Sequence, residues 1–261
     1  MKKLRVVVAG AGGKMGQALV EAVQADKSLQ LAALLDAKGS PSVGQRVGGL
    51  KVGADVPKAI AEGDVLIDFT RPEGTVAHLQ ACTRLGKPIV IGTTGFSSRL
   101  REAVLRAGRR IPIAMSPNFA VGVNAVFKLA EMAARILGDD YDVEIIEAHH
   151  RQKVDAPSGT ALKLGEVIAA VQKQDLSSAS VHGRHGDVGA RPPRQIGFHS
   201  VRGGDIVGEH TVIFAGTGER VELTIRSQSR LTYALGALRA AKFLRGKRAG
   251  LYSMNDVLGL K

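Results

Sequence analysis

Apolar residues recur along this chain in two rhythms. Leu4 to Ala9 is a short β-branched run, a Gly-rich turn follows, and from Met15 to Val23 the apolar positions, Leu19 and Val20 among them, gather on one side of a helix. Strand-like segments return at Leu31 to Leu35, Val65 to Phe69, Pro88 to Ile91 and Ile111 to Met115, the last three separated by helix-like stretches at 73–85 and 98–107. Strands that alternate with helices imply parallel pairing through crossovers, hence an α/β fold with a Rossmann-like doubly wound sheet. Pro57, Pro72, Pro88 and Pro112 fall at the edges of these elements, where a missing N–H does least harm.

After Asn118 the pattern changes. It predicts a helix over Val121 to Leu137, a strand over Val143 to Ala148 and a helix over Thr160 to Val171. Residues 177–193, rich in Ser, Gly, Pro, His and Arg without apolar period, read as one long loop. Gly197 to Ser200, Ile206 to Ala215 and Arg220 to Ser227 alternate like antiparallel strands, with Gly216-Thr217-Gly218 as a hairpin turn. Leu231 to Leu244 is helical again and suits a return to the first domain. At 261 residues the chain exceeds the usual size of one core. The expected organisation is a dinucleotide-binding domain at 1–120 plus 230–261. A second α+β domain at 121–229, on a mixed or antiparallel sheet, would serve substrate binding and oligomerisation.

Charge adds a competing possibility. The net charge of +12, with Arg99, Arg101, Arg106, Arg109 and Arg110 in one stretch and Lys242, Arg245, Lys247 and Arg248 in another, invites a nucleic-acid reading. Aromatic content is only 4% and neither stretch sits in a nucleic-acid-binding motif, so solvated helix faces account for most of it. A field that favours anionic ligands follows as a secondary effect. There is no long uncharged run, signal-peptide core or cleavage site, which points to a soluble, unexported, cytoplasmic protein with no membrane partner. Cys82, the one cysteine, permits no intramolecular disulfide, and Leu79, Ala81 and Leu85 around it suggest a helix facing a core.

Two segments carry chemistry. Gly10-Ala11-Gly12-Gly13-Lys14-Met15-Gly16 follows the first strand and opens the first helix, the context in which a Gly-rich turn receives a pyrophosphate at a helix N-terminus. The strict GxGxxG pattern is broken at Met15, while Gly10, Gly13 and Gly16 give a GxxGxxG variant. Asp36, at the end of the second strand, can accept hydrogen bonds from an adenosine ribose. Its charge would repel a 2′-phosphate that Lys38 could attract, so NADH and NADPH both stay open. Gly92-Thr93-Thr94-Gly95 and Ser116-Pro117-Asn118-Phe119 stand at carboxyl ends of presumed parallel strands, where open α/β sheets bind ligands.

The second segment runs from Glu147 to Thr160 and places His149, His150, Arg151 and Lys153 beside Ser158-Gly159-Thr160. An imidazole titrates near neutrality and suits proton transfer, so His149 is the proton-transfer candidate. Adjacent residues at a strand end point oppositely, which gives His149 and His150 different jobs. Lys153 can donate a proton or hold a carboxylate, and Gly159 and Thr160 offer donors at a helix start. A metal site is not expected: there are no cysteine ligands and no HExxH spacing. The combination points to a reductase of a small acidic substrate. Its rivals are another Rossmann-type oxidoreductase, for which Cys82 lacks a nucleophile's context, and a regulator that senses nucleotides or binds nucleic acid.

The chain closely resembles the dihydrodipicolinate reductase (4-hydroxy-tetrahydrodipicolinate reductase) family of bacterial diaminopimelate and lysine biosynthesis. The matching runs are Val8 to Gly16, Asp68-Phe69-Thr70, Gly92 to Gly95, Asn118 to Asn124, Glu147 to Ala161 and Gly203 to His210. The resemblance implies NAD(P)H-dependent reduction of a cyclic imine dicarboxylate to tetrahydrodipicolinate. It makes His149 the proton donor or acceptor, Lys153 a proton donor, and His150, Gly159 and Thr160 substrate-binding residues. The nucleotide would meet Gly10, Ala11, Gly12, Gly13, Lys14, Met15, Asp36, Gly92, Thr93, Thr94, Ser116, Pro117, Asn118 and Phe119. A homotetramer is implied too, and the strand-rich region 194–228 offers edges for it. Two positions depart from relatives: Gln152 where many carry His, and Ala37 where some carry an Arg suited to a 2′-phosphate.

Overall fold

The computed structural model describes residues 2–260. They form two compact units, one running to Val121 and resuming at Arg230, the other Gly122–Ser229. In chain order the first unit contains β1 (Leu4–Ala9), α1 (Lys14–Ala25), β2 (Leu29–Leu35), β3 (Arg46–Val47), β4 (Leu50–Gly53), α2 (Val56–Glu62), β5 (Val65–Asp68), α3 (Pro72–Leu85), β6 (Ile89–Ile91), α4 (Ser98–Gly108) and β7 (Pro112–Met115). Helix α5 (Val121–Leu137) leads into the second unit, with β8 (Asp142–His149), α6 (Gly159–Val171), α7 (Leu176–Ala179), β9 (Ser180–His182), β10 (Ile196–Arg202), β11 (Gly208–Ala215) and β12 (Arg220–Ser227). The chain then returns through α8 (Leu231–Leu244), β13 (Gly250–Tyr252) and α9 (Met254–Leu258).

The first unit's sheet has the order β13-β7-β6-β5-β1-β2-β4-β3, parallel except for the β3–β4 pair. The chain winds outward from β1 to β2, then crosses to β5 on the other side. That reversal opens a crevice at the carboxyl ends of β1 and β5. Both faces are covered, which explains why Val6 to Val8 form an unbroken apolar run, each 0% exposed. Val6, Val8, Ile67, Val90 and Ala114 pack toward α1 and α8, whereas Val7, Leu66, Ile89, Ile91 and Ile113 pack toward α3 and α4. Cys82 lies fully buried in the latter layer, where burial raises its thiol pKa and leaves it protonated.

The second unit's sheet has the order β12-β11-β8-β10-β9. Val143, Ile145, Ile196, Phe198, Val212 and Phe214 project to one side, where α5 and α6 cover them with Val126, Ala130, Leu164 and Ile168. Strand β8 is thus the centre of this sheet, and its last residues reach beyond the covered core.

Two sequence expectations change here, and five short elements carry no sequence signal. Residues 177–193 are not one loop, because the short α7 and the edge strand β9 occupy 176–182. Both are too short to show a period. Strand β10 runs parallel to β8 and β9, so only β11 and β12 give the antiparallel alternation expected of the whole 197–227 region, and the sheet is mixed. The elements β3, β4, α2, β13 and α9 gave no periodic signal. β13 is three residues that gain strand character only by pairing with β7.

Close approach fixes α8 against the loop after β7. A Cβ on Gly236 would stand 1.7 Å from the Phe119 carbonyl oxygen, an atom that cannot swing aside. Gly236→Ala is therefore expected to lower stability by about 2 kcal/mol, the scale of overpacking in a dense core. A lowered urea midpoint at constant m-value is the check.

Candidate functional site

At the crevice of the first unit, Gly10 turns the chain at φ +72° and the loop enters α1 through Gly13. A Cβ on Gly16 would lie 2.0 Å from the Gly10 carbonyl oxygen, so the helix start can press against the turn only with glycine there. The N-cap Gly13 makes no side-chain capping bond and the first turn holds no acidic residue. Such an end, exposed at Lys14, turns positive dipole toward an anion, while the Gly12 and Gly13 N–H groups bond Asp36 and the Gly10 carbonyl. A dinucleotide pyrophosphate fits this cradle.

Asp36 flanks the same turn. Its carboxylate accepts from the Gly12 N–H at 3.0 Å, the Ser42 hydroxyl at 2.8 Å and the Ala37 N–H at 2.8 Å. Burial opposes its ionisation, but these donors outweigh burial and hold the carboxyl below its ordinary range. A carboxylate so held stays ionised at the end of β2, the usual station for a ribose hydroxyl. Thr93 is buried and Thr94 exposed beyond β6. Beyond β7, Ser116 donates to the Asn118 carbonyl at 2.7 Å, ordering the Pro117 turn. The buried Phe119 ring meets Phe69 edge-on, with centroids 5.5 Å apart.

In the second unit the chemistry collects around Glu147. Period-two alternation puts Glu147 and His149 on the same face of β8, and the carboxylate is 1% exposed. One oxygen takes the His149 Nδ1 proton at 2.6 Å, the other accepts from the Ser158 N–H at 3.2 Å, and Arg202 grips both at 2.8 and 2.7 Å. Burial works against charge on Glu147, yet Arg202, Ser200 and His149 hold its pKa down at about 2. Ionised Glu147 makes Nδ1 of His149 the donor, which leaves Nε2 to exchange a proton. That nitrogen faces Gly208, where an added Cβ would stand 3.1 Å away. Burial lowers the His149 pKa despite Glu147, so the imidazole is neutral at pH 7.

Ser158 joins this carboxylate to a helix. As N-cap of α6 its hydroxyl accepts from the Ala161 N–H at 3.2 Å, and a 2.8 Å hydrogen bond joins it to His210 Nε2. His210 stands edge-on to His149 with centroids 5.1 Å apart, and burial pushes its pKa down to about 4. Gly159 opens the helix with nothing within 4 Å of a would-be Cβ, and Thr160 follows it. Lys153 pairs with both Asp155 oxygens at 2.8 Å. His150 turns away from His149's network, and its Nδ1 is buried without a hydrogen-bond partner, a costly state that a polar ligand would relieve. The structure thus brings His149, Ser158 and Gly159 together through one carboxylate, and sets the glycine turn, Asp36 and the loops at 92–94 and 116–119 in the other unit. Among the described residues no group of three or more His, Cys, Asp or Glu is placed to hold a metal.

Two family models meet where the first unit gives way to the second, although the second of them also takes in residues 230–258, which the structure returns to the first unit. One, described as "Dihydrodipicolinate reductase, N-terminus", matches residues 4–119, and its C-terminus counterpart matches 122–258. The chain belongs to the dihydrodipicolinate reductase family. Among curated relatives, the 4-hydroxy-tetrahydrodipicolinate reductase of Aromatoleum aromaticum is 54% identical over 100% of this chain and 97% of its own length. That of Thiobacillus denitrificans is 54% identical over 99% of each. The dipicolinate-bound dihydrodipicolinate reductase of Paenisporosarcina sp. TG-14 superimposes with a TM-score of 0.79 at 28% identity, over 97% of this chain and 98% of that one. A probable dehydrogenase of Thermotoga maritima shares the fold at 12% identity and a TM-score of 0.63, covering 97% and 92%. These likenesses favour an NAD(P)H-dependent oxidoreductase and give no support to the regulator that the net charge suggested.

Sequence reasoning passed over Arg202, Ser42 and the joint role of Glu147. The i, i+2 spacing of Glu147 and His149 was a usable signal within one strand. Arg202 had none, because it meets Glu147 only once β10 pairs with β8.

Neutral His210 has a consequence for folding. Its folded pKa of about 4 lies below the ordinary 6.5, so the unfolded chain binds more protons between those values. Stability is then complete above pH 6.5 and falls as pH drops toward 4. Between pH 7 and 4.5, unfolding free energy is expected to fall by about 2 kcal/mol through this residue. Urea titrations at the two pH values check it, and His210→Gln should flatten the difference.

Proposed function

We propose that this chain reduces 4-hydroxy-tetrahydrodipicolinate (dihydrodipicolinate) to tetrahydrodipicolinate with NAD(P)H, in diaminopimelate and lysine biosynthesis. The observation that carries the residue assignment is the buried carboxylate of Glu147, which holds both the His149 imidazole and the start of α6. Loss of the 4-hydroxyl as water gives dihydrodipicolinate, whose reduction requires one hydride and one proton; a bound reduced nicotinamide would supply the hydride. The chain's own residues manage the proton and the two substrate carboxylates.

Lys153 donates the proton as an ammonium, and His149 takes up or passes on a proton at Nε2, with Nδ1 anchored by Glu147. His150, Gly159 and Thr160 bind the dicarboxylate: the α6 N-terminus attracts an anion, and the unpartnered His150 nitrogen gains a partner. Gly10, Ala11, Gly12, Gly13, Lys14 and Met15 hold the pyrophosphate, with Asp36 at the adenosine ribose and Gly92, Thr93, Thr94, Ser116, Pro117, Asn118 and Phe119 toward the nicotinamide. Ionised Asp36, with Ala37 beside it in place of an arginine, favours NADH over NADPH.

The working protein is read as a cytoplasmic homotetramer. The second unit's sheet keeps one face outside its core, with Ile146 37% and Val201 49% exposed on adjacent strands, a surface suited to a second copy. No helix among the described residues is long and apolar enough to cross a membrane. Light scattering on a sizing column tests the tetramer.

His149→Ala and Lys153→Ala are each expected to lower kcat by about a hundredfold to ten thousandfold; Lys153→Ala leaves melting unchanged, whereas His149→Ala also lowers it, because it takes a donor from buried Glu147. The check is NAD(P)H oxidation at 340 nm with the dihydrodipicolinate-synthase product as substrate. Wild-type turnover in either variant removes that residue from its role. NADH and NADPH compared side by side in the same assay decide the cofactor preference.

A further inference from the structure

A second set of buried polar side chains, in the first unit, takes no part in the chemistry above. Asp68 closes β5 with 0% exposure and accepts from the Thr70 N–H at 2.8 Å and the Thr70 hydroxyl at 2.6 Å. Its other oxygen bonds His78 Nδ1 on α3 at 2.9 Å. Burial disfavours charge on Asp68, but the bonds from His78 and Thr70 win and lower its pKa. One turn earlier on α3, Thr75 is also 0% exposed and shares a 2.8 Å hydrogen bond with the Thr93 hydroxyl, which donates onward to the Thr70 carbonyl at 3.0 Å. The Thr75 hydroxyl also lies 3.3 Å from the Arg71 carbonyl, so its one proton can serve Arg71 or Thr93, and either way the Thr75–Thr93 bond ties α3 to the loop after β6.

Position gives this network its meaning. The Thr70 methyl lies 3.0 Å from where a Cβ on Gly10 would stand, so it packs against the glycine turn. The Phe69 ring fills the space beside Gly92, where an added Cβ would come within 2.2 Å. Residues 69 and 70 therefore touch both the turn after β1 and the loop after β6, on either side of β5. Three adjacent strand ends are tied to α3, a helix that lies behind the crevice.

We propose that Thr75 and His78 are positioning residues for the dinucleotide. Through Thr93 and Asp68 they fix Thr70 and the 92–94 loop at the height where the nucleotide meets backbone. The inference rests on the assignment of the dinucleotide to the glycine turn and the 92–94 loop. Without the Thr75 hydroxyl, Thr93 keeps its bond to Thr70 but loses the buried partner that sets its rotamer, and the loop loosens at the ligand's edge.

Thr75→Val deletes that hydroxyl and keeps the shape, while Thr75→Ser restores it. One neutral hydrogen bond corresponds to about 1 kcal/mol, or about fivefold in binding. Titration of NADH into each protein, followed by the nucleotide's own fluorescence, is expected to show Kd raised about fivefold in Thr75→Val and within about twofold of wild type in Thr75→Ser. KM for NADH should rise in step, with kcat and the dicarboxylate KM nearly unchanged and the melting temperature lowered by only about 2–4 °C, the scale of one lost hydrogen bond. Wild-type Kd in Thr75→Val, or equal weakening by Val and Ser, overturns the proposal. Should Thr75→Val fail to fold, His78→Asn, which keeps a donor at the Nδ1 position, against His78→Leu gives the same comparison. Gly12→Val separates the two ideas: its side chain would strike Ser42 and Asp36 beside the turn. NADH binding untouched by Gly12→Val sinks the cofactor assignment. Binding lost there but unchanged in Thr75→Val sinks only the positioning role.

Discussion

A carboxylate that is 1% exposed and ionised must be surrounded by donors, and Glu147 meets that demand with an arginine, an imidazole, a backbone N–H and a hydroxyl. Stripping one partner from such a group leaves charge uncompensated at a cost of about 3–5 kcal/mol. The partners come from β8, the start of α6 and β10, so the local requirement of one side chain fixes how three elements meet. Pairing of β10 with β8 is what makes this possible, since it brings Ser200 and Arg202 beside Glu147.

Much of the fold was legible because burial writes directly into the sequence. Strands buried on both faces read as runs such as Val6-Val7-Val8, and helices covering them read with a 3.6-residue period. Where an element owes its existence to a partner, the signal disappears. Gly250-Leu251-Tyr252 has no strand pattern of its own and becomes β13 only against β7. Direction is equally hidden: Ile196–Arg202 alternates as any half-buried strand does, and its parallel pairing with β8 is decided by the crossover through α6, α7 and β9.

The candidate site divides the same way. The residues from Glu147 to Thr160 are contiguous, so their chemistry was visible as composition, and strand alternation was enough to separate His149 from His150. Contacts made across the fold were not visible. Arg202 reaches Glu147 from 55 positions away, and Ser158 meets His210 from 52. Gly208 shows the same limit in reverse, for its contribution is an absent side chain that leaves Nε2 of His149 uncovered.

Both units carry, at or near the end of a strand, a buried carboxylate bonded to an imidazole Nδ1, Asp68 to His78 and Glu147 to His149. The pairing alone therefore says nothing about proton transfer. What separates the two is what lies around them. Asp68 spends its remaining oxygen on the backbone and hydroxyl of Thr70, and its imidazole belongs to a helix packed into the core, so the pair stiffens a loop. Glu147 is neutralised by Arg202, which frees its histidine from carrying a balancing charge. That imidazole stays neutral and presents its second nitrogen beside a glycine. An arginine on the carboxylate and an uncovered Nε2 turn a structural pair into one able to move a proton. A histidine–aspartate contact that lacks both is better read as scaffold.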